Sequence, residues 1–138
     1  MEHITKALKR MRDNNWDFMY LAIDVHGTMI KPTHHNDNKF EFYSNAEEVL
    51  QYISTREDIV MIMHTSSYPG YIDRLMGFLV DHNIYFDYVN ENPNVESDHV
   101  CDFSDKFYYD ALLDDKAGFN PDTDWTKLMN TLQSNNNE

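Results

Sequence analysis

The chain has 138 residues, 41% hydrophobic and 14% aromatic, which suits one domain with a buried core and excludes a disordered chain. Eleven basic residues stand against 24 acidic ones, a formal charge of −13, so the surface as a whole repels nucleic acid. No uninterrupted apolar stretch approaches the roughly 20 residues that cross a bilayer, so no membrane partner is expected.

In chain order, the opening MEHITKALKRMRDNNWD has no apolar signal core, and a cytoplasmic protein is expected. Ile4, Leu8 and Met11 recur at helical spacing, which predicts an amphipathic helix within 1–16, packed on a single domain spanning 17–132. Lys6, Lys9, Arg10 and Arg12 then form its solvated basic face, a reading preferred to a nucleic-acid-binding arm. The continuous apolar run 18–23 is expected to be a strand buried on both faces, as parallel sheets require. In the polar segment that follows, His34, His35 and Asp37 could be weighed as a transition-metal site, but adjacent histidines in a polar loop are better explained by solvation.

Ser44, with Glu47 three residues later, predicts a capping box that opens a helix. A second buried strand is expected at 59–63. Next comes a helix within 68–84 whose inner face carries Ile72, Leu75, Met76 and Leu79. A third strand is expected at 85–89 and a fourth at 108–113. Trp125, Leu128 and Leu132 predict a closing helix, and 133–138 a frayed tail. Cys101, the lone cysteine, fits a reducing compartment and reads as a small buried or half-buried side chain. Tyr68, Tyr71, Tyr108 and Tyr109 read as packing residues, and His64 as a hydrogen-bonded structural one. The alternation of strands and helices predicts an open, mainly parallel α/β sheet in three layers, Rossmann-like, with helices on both faces.

In such sheets ligands sit beyond the carboxyl ends of the strands. Those ends carry Asp24, then Thr65-Ser66-Ser67, then Asn90-Glu91-Asn92, then Asp114-Asp115, with Lys106 just before the last strand. Hard oxygen donors suited to magnesium, a hydroxyl and an ammonium for phosphate oxygens, and a carboxylate able to attack are the parts of metal-assisted phosphoryl transfer.

The ordered set resembles the haloacid dehalogenase superfamily, whose first motif is a hydrophobic strand followed by Asp-x-Asp-Gly-Thr. Here that motif is Asp24-Val25-His26-Gly27-Thr28. VMIMHTSS places Thr65 in the second motif, Lys106 stands as the third, and YYDALLDDKAG places Asp114 and Asp115 in the fourth. FDYVNENP and KFYYDALLDDKA extend the likeness to a small capless subgroup, over roughly 17–125 in all. The resemblance implies a haloacid-dehalogenase-like fold without a large cap domain. It also implies Asp24 as the nucleophile, and magnesium held by Asp24, the carbonyl of His26 and Asp115, with Asp114 supporting. Thr65, Ser66, Lys106 and Gly27 would surround the phosphoryl group.

Two departures bear on activity. His26 stands where the family has the aspartate that serves as general acid and base, a role worth roughly 10² to 10⁴ in rate. Ser66-Ser67 replaces an arginine usual in the subgroup. The expectation is a slow, magnesium-dependent phosphomonoester hydrolase-like protein acting on a phosphorylated small molecule or another accessible phosphate ester. The alternatives are a catalytically silent relative that binds phosphate or a protein partner and, less favoured, a nucleic-acid end phosphatase.

Overall fold

The computed structural model describes residues 1–32, 39–98, 100–103 and 106–134, so the His34-His35-Asp37 group and the residues beyond Ser134 lie outside the description. Four strands, β1 (Met19–Asp24), β2 (Ile59–His64), β3 (Tyr88–Val89) and β4 (Ala111–Leu113), form one parallel sheet in the order β3-β2-β1-β4. The four α-helices are α1 (Glu2–Asp13), α2 (Ala46–Thr55), α3 (Pro69–Asp81) and α4 (Asp124–Ser134). The open, parallel, Rossmann-like α/β sheet is as expected, and no large cap is present among the described residues. None of these helices is long and apolar enough to cross a membrane.

The sheet's two faces are covered differently. Met19, Leu21, Ile23, Met61, Met63 and Leu113 share one core with Ile4 and Leu8 of α1, Leu50 and Ile53 of α2, Leu75 and Leu79 of α3, and Trp125, Leu128 and Leu132 of α4. Polar contacts tie neighbouring helices within this layer: the Gln51 amide donates to the His82 carbonyl at 2.8 Å, and Asn45 Nδ2 to Thr126 Oγ1 at 3.1 Å. Successive strand side chains point to opposite faces, so Tyr20, Ala22 and Asp24 turn the other way, with Val60, Ile62 and His64 beside them. Ala22 and Ile62 are fully buried there.

That second face is covered by the connection from β3 to β4, whose Tyr108 meets Tyr20 edge-on with ring centroids 6.0 Å apart. The third layer is thus a long connection rather than a further set of helices. The physical reason is composition: 90–107 carries Pro93 and many Asn, Asp and Ser, with no 3.6-residue apolar repeat.

Several local expectations are corrected. The capping box does not form: α2 is capped at Asn45, in the left-handed region at φ 70°, and its side chain reaches α4 instead of the helix's own N–H groups. The expected strand at 85–89 is reduced to Tyr88–Val89, and the one at 108–113 to Ala111–Leu113. In both cases an aspartate side chain intrudes at the strand's start. Asp87 Oδ2 accepts the Met61 N–H at 2.9 Å, and Asp110 Oδ2 accepts the Tyr20 N–H at 2.8 Å. Cys101 is exposed rather than buried. Tyr68, 86% exposed, does no packing. The closing helix continues to Ser134, two residues beyond the expected end of the domain.

Candidate active site

At the carboxyl end of β1 the chain reverses within 25–30. The Val25 carbonyl accepts the N–H groups of Thr28, Met29 and Ile30 at 3.3, 2.9 and 3.0 Å. Gly27 makes this turn possible. Its φ is +83°, and a Cβ there would lie 2.7 Å from Asp115 Oδ2 and 3.0 Å from its Cγ. Only a residue without a side chain lets the Asp115 carboxylate settle against the backbone.

Asp24, Asp114 and Asp115 each offer a carboxylate oxygen, and these oxygens lie within 4.8 Å of one another. The register Ile23↔Leu113 makes Asp114 the neighbour of Asp24 across the β1–β4 pair. Asp114 also caps the 3₁₀ turn Asp115–Ala117, where its Oδ1 accepts the Lys116 N–H at 2.9 Å. Thr28 joins the cluster from beneath and is fully buried. Its hydroxyl accepts the Asp115 N–H at 2.9 Å and faces Asp115 Oδ1 at 3.2 Å and Asp24 Oδ2 at 3.4 Å. Its carbonyl accepts the Trp125 indole N–H at 3.0 Å, which anchors the turn on α4.

The electrostatics are unfavourable without a cation. At an effective dielectric constant near 20, two like unit charges 4.8 Å apart repel by about 3.5 kcal/mol. Asp24 is held above the ordinary carboxylate range by burial first, then by the charge of Asp114, with Asp115 adding. The Val25 backbone and the Thr28 hydroxyl oppose this. Three hard oxygen donors at this spacing could hold a metal ion.

His26 is half-buried, and its Nε2 is 2.7 Å from the Tyr71 hydroxyl of α3. Burial lowers its pKa below the ordinary histidine value, so at neutral pH the ring is a neutral imidazole paired with Tyr71. Tyr71 itself is pushed up by burial, with the Arg74 guanidinium opposing.

Thr65 follows β2, whose last residue, His64, is in register with Asp24. The side-chain amide of Asn90, in the left-handed region at φ 55°, brackets Thr65 by accepting its N–H at 2.9 Å and donating to its carbonyl at 2.7 Å. The Thr65 hydroxyl lies 2.9 Å from that of Ser67, and Ser66 is exposed. Lys106 lies in a cleft of about 600 Å³ that it shares with His64, Phe107 and Tyr109. His64 is exposed and meets the ring of Phe107 instead of taking the structural role expected of it.

Asp24, Gly27, Asp114 and Asp115 therefore converge, Thr65 sits at the adjacent strand end, and Lys106 lines the neighbouring cleft. A larger cleft of about 810 Å³ opens elsewhere, at the strand starts, among Trp16, Phe18, Tyr20 and Asp110. Sequence reasoning missed Thr28 and Tyr71. Thr28 was visible as the last residue of the Asp-x-x-Gly-Thr turn, whereas no local signal pairs Tyr71 with His26.

No family model matches this chain, and no curated protein matches it. Its fold is similar to the solved structure of a conserved protein from Bacteroides thetaiotaomicron. The TM-score is 0.63 at 22% identity, over 85% of this chain and 91% of that one. Likeness at that identity speaks for the fold alone.

Proposed function

We propose that this chain is a magnesium-dependent phosphomonoester hydrolase of the capless haloacid dehalogenase type, working through an aspartyl-phosphate on Asp24 and slowed by His26. The observation that carries the proposal is the gathering of Asp24, Asp114 and Asp115 within 4.8 Å around a turn that excludes a side chain. Asp24, Asp115 and the backbone carbonyl of His26, with Asp114 beside them, would hold the ion. Bound there, it would neutralise the carboxylates and the developing charge on phosphate oxygens.

The chain's own groups supply the rest. An Asp24 oxygen attacks phosphorus, the ester P–O bond breaks, and the departing oxygen leaves as the alcohol after taking one proton. Water then attacks the phosphorus of the acyl-phosphate, releasing orthophosphate and a proton and restoring the Asp24 carboxylate. Thr65 and Lys106 would bind the transferred group. His26, whose pKa burial holds below the ordinary histidine value and whose Nε2 is engaged by Tyr71, is a poor proton donor at neutral pH, so the departing oxygen draws its proton from solvent. That is the physical basis for slow turnover.

The same pairing of His26 with Tyr71 favours one other reading, a catalytically silent phosphate- or partner-binding protein. The placement of α1 weighs against the nucleic-acid reading. Arg10 reaches the Asp110 carbonyl at 3.5 Å, at the strand starts, so the basic end of the helix faces away from the carboxylates. The deciding experiment is turnover of an aryl phosphate with and without magnesium, wild type against Asp24→Asn, from pH 5 to 9. Magnesium-dependent turnover lost in the variant supports the enzyme. Equal rates in both proteins would leave the silent reading.

A further inference from the structure

We infer that the phosphate ester this site takes carries a planar aromatic leaving group, held in the cleft beside the carboxylates by His64, Phe107 and Tyr109. The inference rests on the phosphohydrolase reading above and names its substrate class.

Three observations lead to it. First, the cleft lies on the same face as the nucleophile. Asp24 and His64 are the paired last residues of adjacent parallel strands, so both side chains project from the face opposite the helices. The cleft that His64 lines therefore opens beside Asp24 on the β2 side. Second, the cleft is larger than a phosphoryl group requires. Its roughly 600 Å³ falls within the range of small-molecule sites.

Third, most of its lining is aromatic, with Cys101, Asp102 and Lys106 beside the rings. The His64 and Phe107 centroids are 5.7 Å apart at an interplanar angle of 69°, and those of Phe107 and Tyr109 are 5.7 Å apart at 60°. Tyr109 keeps 40% of its surface exposed and His64 is exposed, so ring surface remains available for contact. Tilted rings at this spacing offer faces and edges to a third ring, and Lys106 in the same cleft gives an ammonium for the anionic end of the ester. An aliphatic group of the same size fills the volume but forgoes the ring–ring contacts.

The test compares benzyl phosphate with cyclohexylmethyl phosphate, whose leaving alcohols are alike in size and acidity, in the full chain with magnesium. The expected kcat/KM ratio is roughly 2- to 12-fold in favour of the benzyl ester, the scale of one aromatic contact. It should narrow toward one in Phe107→Leu. Tyr109→Leu, at a more exposed position, is the second variant should the first fail to fold. Equal kcat/KM for the two esters in the wild type would overturn the inference while leaving the phosphohydrolase reading intact. If neither ester turns over faster than in Asp24→Asn, the phosphohydrolase reading fails instead. Saturation-transfer NMR of the two esters with the wild-type protein then decides the cleft: preference for the benzyl ester, weakened by the same variants, upholds its aromatic selectivity, and equal or absent binding overturns it.

Discussion

Replacing Asp24 by Asn should make the metal-free protein more stable, not less. Three carboxylates whose oxygens lie within 4.8 Å of one another repel, and the variant removes one charge with almost no change in shape. At that separation each like pair costs between about 0.9 kcal/mol in a fully aqueous dielectric and about 3.5 kcal/mol at an effective constant near 20. Asp115 is exposed, which moves its share toward the lower figure, and Asp114 is half-buried. A net relief of about 1 to 3 kcal/mol follows at neutral pH. For a domain of this length that corresponds to a rise in Tm of roughly 3 to 10 °C by circular dichroism.

The sign against pH is fixed by the same residue. Because the folded-state pKa of Asp24 is raised, the folded chain takes up its proton more readily than the unfolded chain. The wild type therefore carries the full penalty above that raised value, and the gap between the two proteins closes as pH falls through it. Magnesium should narrow the gap. At a free concentration about tenfold above Kd it stabilises the wild type by about 1.4 kcal/mol, and at about a hundredfold by about 2.7 kcal/mol, while the variant stays nearly unmoved. A variant that melts below the wild type in the absence of metal, yet keeps the full magnesium shift, would refute the account of a strained, cation-seeking cluster.

Gly27→Ala should cost about 1 to 3 kcal/mol of stability, lowering Tm, and weaken magnesium binding at least tenfold, because its Cβ meets Asp115 Oδ2 at 2.7 Å from a backbone at φ +83°; isothermal titration and thermal melting read both effects. His26→Asp should raise magnesium-dependent turnover, by up to the roughly 10² to 10⁴ that an acid/base group supplies. In the wild type, activity should rise only below the ordinary histidine range, since burial lowers the His26 pKa, and pH–rate curves for both proteins test this. Asp58→Asn should cost up to about 1 kcal/mol at pH 7, by removing the charge and one of the two 2.7 Å bonds from Arg56. The Arg56 bond holds the folded pKa of Asp58 below its unfolded value, so this stability is present above the ordinary carboxylate range and lost as pH falls through the folded value; acid denaturation should be flatter in the variant below about pH 4.

The sequence by itself determined what is encoded locally. The apolar runs 18–23 and 59–63 had to be strands buried on both sides, because such runs have no face to spare for water, and helical spacing marked α1, α3 and α4. Asp24, Thr65 and the Asp114-Asp115 pair were legible at strand ends for the same reason, since polarity changes where burial stops. Contacts between distant segments were not legible. Thr28 meets Asp115 across 87 positions and His26 meets Tyr71 across 45, and neither pairing leaves a periodic trace. The side of the sheet that carries the helices, the Asn45 cap drawn to Thr126, and the shortening of β3 and β4 by Asp87 and Asp110 were likewise decided by packing. A side chain's nearest partners in space outcompete the local preference that its neighbours in sequence express, and only the assembled tertiary structure says which partners those are.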